Sequence, residues 1–111
     1  MKLDPFLEPE TKLVGAPEMF LDTSSTLNLT CIVSWTSSPP DEVSWYHNQS
    51  QVSILGPRGG VSLMVDKSRV TQVTLMLQQP TVEDSGFYEC RPNNAPSAYI
   101  TIHILEGEMN K

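Results

Sequence analysis

Cys31 and Cys90 bracket the middle of this 111-residue chain. Trp45 lies between them, and the run Asp84-Ser85-Gly86-Phe87-Tyr88-Glu89-Cys90 closes the interval. That order leaves few folds open. In a two-sheet sandwich, a cysteine on an early strand is bridged to one on a late strand, a tryptophan packs on the bridge, and a tyrosine two residues before the second cysteine fastens the adjoining corner. Cys31, Trp45, Tyr88 and Cys90 fill those four roles, and Asp84 and Gly86 complete the corner. A lone cysteine or tryptophan would indicate only core packing. The ordered set indicates how two sheets are stapled.

The pattern is that of an all-β, immunoglobulin-like antiparallel β-sandwich of I-set or V-like type. Composition agrees with one small extracellular module. The length is one domain's worth, and with 39% hydrophobic and 7% aromatic residues the core is modest. A bridge over so long a loop contributes about 4 kcal/mol in the chain-entropy model, and it requires an oxidising compartment. The sequons Asn28-Leu29-Thr30 and Asn48-Gln49-Ser50 point to the same secretory route. A net charge of −6 argues against nucleic acid and against docking on anionic lipid, both of which want a basic face. No apolar run is long enough to span a membrane. The acidic, proline-bearing start, Met1 to Glu10, has no apolar segment of the kind a signal peptide needs. The expectation is a piece of a longer protein, with its secretion signal and any membrane anchor elsewhere.

Residues 1–15, rich in proline and charge and without periodicity, read as a linker or lead. Residues 16–106 read as the domain, and 107–111 as the start of a further linker. Met19 to Leu21 reads as an edge strand. Leu27 to Val33 alternates cleanly, with Leu27, Leu29, Cys31 and Val33 inward and Asn28 outward, where a glycan fits. Val43 to Tyr46, Val52 to Leu55, Val61 to Val65, Val70 to Leu77 and Ala98 to Leu105 follow as strands. Asn48 falls on a turn. A basic residue commonly pairs with the aspartate at the corner of this fold; the sequence leaves open whether Arg58, Lys67 or Arg69 is the partner of Asp84.

The outward positions of the sheet carrying Trp45 and Cys90 are Tyr46, Phe87, Glu89, Arg91, Tyr99, Thr101 and His103. Aromatic residues and arginine are the types enriched in binding hot spots, so these seven form a candidate protein-binding face. The bland alternative is ordinary exposed apolar surface. Catalysis has no constellation to rest on. His47 and His103 lack a third ligand at metal spacing, no Gly-x-Ser-x-Gly elbow occurs, and Glu83 and Asp84 belong to the corner. The chain is expected to be no enzyme and to need no metal or cofactor.

Val14-Gly15-Ala16-Pro17-Glu18, Leu27-Asn28-Leu29-Thr30-Cys31, Trp45-Tyr46-His47-Asn48, Arg58-Gly59-Gly60-Val61-Ser62, Asp84 to Pro92 and the tail His103 to Glu108 together resemble the second immunoglobulin domain of the arthropod Dpr (defective proboscis extension response) proteins. The tail departs from that family after Glu108. The resemblance implies a neuronal cell-surface adhesion receptor, anchored to the plasma membrane in its full length, whose pairing with Dpr-interacting proteins guides synapse organisation and partner choice. It further implies that recognition belongs mainly to a separate first domain, with this one a membrane-proximal spacer. The alternative is an independent, secreted or homophilic binding domain that uses its own sheet face. An antigen-receptor variable domain is disfavoured because the last strand lacks a Phe-Gly-x-Gly bulge.

Overall fold

The computed structural model describes residues 8–106. Nine strands form the two layers: β1 (Glu10–Leu13), β2 (Glu18–Asp22), β3 (Leu27–Ser34), β4 (Val43–His47), β5 (Ser50–Gln51), β6 (Val61–Asp66), β7 (Thr71–Leu77), β8 (Gly86–Pro92) and β9 (Ala98–Leu105). One sheet runs β1-β3-β7-β6, the other β2-β9-β8-β4-β5. Every pairing is antiparallel except β2 on β9, which is parallel. The second sheet is therefore mixed.

Alternation decides the layering. Leu27, Leu29, Cys31 and Val33 of β3 and Val73, Leu75 and Leu77 of β7 are buried from one sheet; Trp45, Tyr88, Cys90, Ile100, Ile102 and Ile104 meet them from the other. Because side chains have a period of two along a strand, a slip of one residue would turn this whole set outward, so the register is strongly specified. Cys31 and Cys90 are fully buried and bridged across the layers, with Cα atoms 6.4 Å apart.

Two expectations for individual elements are corrected. Residues 10–13, assigned to the lead, form β1, which pairs with β3 from Glu10↔Ser34 to Leu13↔Cys31 and buries Leu13 in the core. Four residues with one fully buried side chain are too few for alternation to register. Val52 to Leu55 is a loop, and β5 is only Ser50–Gln51. Val52 still packs against the core, which explains its apolar character without a strand. Residues 1–7 of the expected lead and the 107–111 linker lie outside the described residues.

The corner before β8 is built by a short 3-10 turn, Val82–Asp84. Asp84 is buried and accepts from Arg58 Nε (2.8 Å) and Nη2 (2.7 Å) and from the Thr81 backbone N–H (2.8 Å). The Tyr88 hydroxyl donates back to the Asp84 carbonyl. Of the three cations left open by the sequence, Arg58 is the partner. Gly59 and Gly60, at φ +73° and +64°, fold the chain back so that the guanidinium also reaches the carbonyls of Gly59 and Gln78. A left-handed pair of this kind is readily supplied by glycine. Lys67 instead donates to the Pro40 carbonyl at 3.2 Å.

Candidate protein-binding face

The outer face of the five-stranded sheet is assembled by register. Tyr46 lies opposite Glu89, Glu89 opposite Tyr99, and Phe87 opposite Thr101, so the seven residues singled out from the sequence share one surface. Diagonal neighbours on such a face are close enough for aromatic side chains to meet. Phe87 and Tyr99 stack with centroids 5.1 Å apart. The Arg91 guanidinium sits 4.0 Å above the centre of the Tyr46 ring and also holds Glu89 through two hydrogen bonds of 3.0 and 3.2 Å. That contact keeps the Glu89 carboxyl below its usual range and raises Arg91 above its own.

His103 continues the face to its edge. Its ring stacks on Phe20 of β2 at 4.3 Å, and its Nε2 lies 2.9 Å from a Glu18 carboxylate oxygen. Phe20 was missed from the sequence. Its outward direction follows from Met19 and Leu21 pointing in, but its place beside His103 depends on the parallel β2–β9 pairing, which a five-residue strand does not announce. The aromatic side chains remain open to solvent: Phe20, Phe87 and Tyr99 are 62%, 44% and 47% exposed.

Asn48 serves the same sheet. Asn48 and Gln49 both have positive φ, 49° and 75°, as a two-residue turn between β4 and β5 requires. The Asn48 carboxamide oxygen accepts from the Phe87 backbone N–H at 2.9 Å, and Asn48 Nδ2 lies 3.4 Å from His47 Nε2. Gly86 is the neighbour that makes room. It has φ +134°, and a methyl there would come within 2.6 Å of Asn48 Oδ1. Gly86→Ala is therefore expected to destabilise the domain by about 1–3 kcal/mol, read as a lowered urea midpoint. Asn28, the other sequon residue, is exposed on the outer surface of the opposite sheet.

Among the described residues, no group of three His, Cys, Asp or Glu side chains could hold a metal ion, and no helix is long and apolar enough to cross a membrane. What the face offers is a partly ordered, largely apolar platform with a charged pair at one side.

The Immunoglobulin domain family model matches residues 17–101. Two curated relatives match: a zebrafish (Danio rerio) vascular endothelial growth factor receptor kdr-like, 32% identical over 95 residues, and the Caenorhabditis elegans muscle M-line assembly protein unc-89, 31% identical over 81 residues. These alignments cover 81% and 73% of this chain but only 6% and 1% of the relatives' length. A crystal structure of Dpr2 Ig1–Ig2 in complex with DIP-Theta Ig1–Ig3 superposes with a TM-score of 0.78 over 92% of this chain and 52% of that one, at 18% identity. That likeness is one of fold.

Proposed function

Because this chain belongs to the immunoglobulin domain family, we propose that it is a recognition domain of a cell-surface receptor, which grips another immunoglobulin-superfamily protein with the outer face of its five-stranded sheet. Domains of this family typically bind or adhere rather than catalyse. The observation that carries the proposal is the pair of aromatic stacks, Phe20–His103 and Phe87–Tyr99, left open to solvent on one surface. Rigid aromatic anchors beside an arginine are the make-up of an interface centre, and their rotamers are already restricted, which reduces the ordering cost of binding.

The finer reading is a neuronal adhesion receptor of the Dpr kind, acting in synapse organisation, glycosylated at Asn28 and Asn48 and pairing with Dpr-interacting proteins. The residue resemblance supports it, and so does a structural neighbour crystallised as an assembly of immunoglobulin chains. The frame is shared with a muscle protein, so the frame alone does not choose a compartment. The Cys31–Cys90 bridge favours the oxidising, extracellular one. Within this reading, geometry favours a contact surface over a spacer, since a spacer has no use for stacked aromatics facing solvent.

The test is surface plasmon resonance of the domain against a panel of Dpr-interacting ectodomains and against itself. Binding is expected, and Phe87→Ala/Tyr99→Ala should weaken it at least about thirtyfold, the equivalent of one hot spot of about 2 kcal/mol. Unchanged affinity in that variant would remove the face from the function. Silence across the panel would favour the spacer role.

A further inference from the structure

Away from that face, at the end of β6 remote from the Arg58–Asp84 corner, the loop between β3 and β4 and the turn between β6 and β7 border a half-open surface pocket of about 360 Å³. Its wall combines Trp35, Thr36, Ser37 and Ser38 from the loop with Lys67 and Arg69 from the turn. Three observations set it apart. Trp35 has φ +66°, a left-handed backbone that is a genuine outlier for a bulky side chain and is held at a cost. Its indole is nonetheless 44% exposed, so core packing does not account for the strain. Two of the seven lysines and arginines of a chain with net charge −6 also converge here, and among the described residues Arg69 has no carboxylate partner.

We propose that this pocket binds a carboxylate-bearing pyranose, the acidic sugar of a glycan. The planar guanidinium of Arg69 presents paired N–H donors that match a carboxylate. Lys67, already placed by its bond to the Pro40 carbonyl, keeps further donors for the same charge. The Trp35 ring offers a flat apolar platform for the C–H face of a sugar ring, and the adjacent serine and threonine hydroxyls exchange hydrogen bonds with ring hydroxyls. The loop is braced before any ligand arrives: Asn94 Nδ2 donates to the Ser38 carbonyl at 3.1 Å, and Lys67 holds Pro40 two residues on. An acidic peptide would satisfy the cations but has no need of a flat ring flanked by hydroxyls.

Sialic acid and uronic acid share the required chemistry, and ligand-observed NMR of the whole chain separates them. N-acetylneuraminic acid and glucuronic acid are titrated in parallel, with glucose as the neutral control at equal ionic strength. Saturable transfer to one acid identifies the source, with no transfer to glucose. Arg69→Gln, in an exposed turn clear of the core, should weaken binding at least tenfold. Trp35→Asn, which suits a left-handed backbone, should abolish it with the melting temperature held. Silence toward both acids, an equal response to glucose, undiminished binding by either variant, or binding only to an oligoglutamate peptide would each overturn the proposal.

Discussion

Cys90→Ser is expected to lose about 2–5 kcal/mol of unfolding free energy and to be retained rather than secreted. The bridge closes a loop with a sequence separation of 59, and restricting that loop in the unfolded chain accounts for about 4 kcal/mol in the entropy model. The substitution adds a second penalty in the folded state. Both cysteines are fully buried, so the new hydroxyl and the orphaned thiol would sit in apolar surroundings with Trp45 beside them, and a buried hydroxyl without a partner is itself costly. For a domain this size the melting temperature should fall by roughly 10–20 °C. Urea unfolding of the two proteins measures the difference; a loss below about 1 kcal/mol, with normal secretion, would mean that the sheets do not depend on their staple.

The second large effect is expected at the corner. Asp84→Asn replaces a carboxylate that accepts two bonds from Arg58 and one from the Thr81 N–H, leaving a half-enclosed guanidinium with the Gly59 and Gln78 carbonyls but no counter-charge. Breaking a fully buried pair costs about 3–5 kcal/mol. Arg58's side chain is 30% exposed, so about 2–3 kcal/mol is expected here, with solvent recovering the rest. The pH dependence follows from the carboxylate. Burial works against the charge, but the bonds from Arg58 and Thr81 outweigh it and hold Asp84 below its ordinary value of 3.8. A group whose folded pKa is depressed contributes stability that is complete above the unfolded pKa and is lost as pH falls through the folded one. The native protein should therefore lose stability from about pH 5 downward more steeply than Asp84→Asn does. Parallel slopes in denaturation series between pH 5 and pH 2 would show that the pair contributes little.

The long strands were legible because each carries enough alternation to name its inner face. Residues 98–105 read as one strand in sequence and form β9; Val73, Leu75 and Leu77 show the same agreement. Short edge strands were not legible: β1 rests on backbone pairing with β3, and hydrogen bonds leave little mark in side-chain chemistry. The Val52–Leu55 error has a related origin: Val52 packs on the core from a loop, while Ile54 and Leu55 are exposed, so apolar type alone marked neither a strand nor an inner face. The choice of Arg58 over Lys67 and Arg69 depended on the path through Gly59 and Gly60, a three-dimensional fact. The candidate face was readable from period-two alternation once its sheet was identified. Its extension to Phe20 was not, because parallel pairing joins residues more than 80 positions apart. Trp35 gave no sequence signal beyond its type; its backbone conformation makes it stand out.

The parallel contact between β2 and β9 also governs how the domain would respond to being pulled. The chain enters the second sheet through β2 and leaves through β9, and the two run side by side from Glu18↔Thr101 to Asp22↔Leu105. Tension applied along the chain draws the start of β2 and the end of β9 in opposite directions along their common axis. Their hydrogen bonds are then loaded together in shear rather than opened one at a time from an end. Tension from the amino end meets the β1–β3 pairing first; once β1 has come away, the β2–β9 seam carries the load, and the lifetime under force is then set by a handful of bonds that must fail at once.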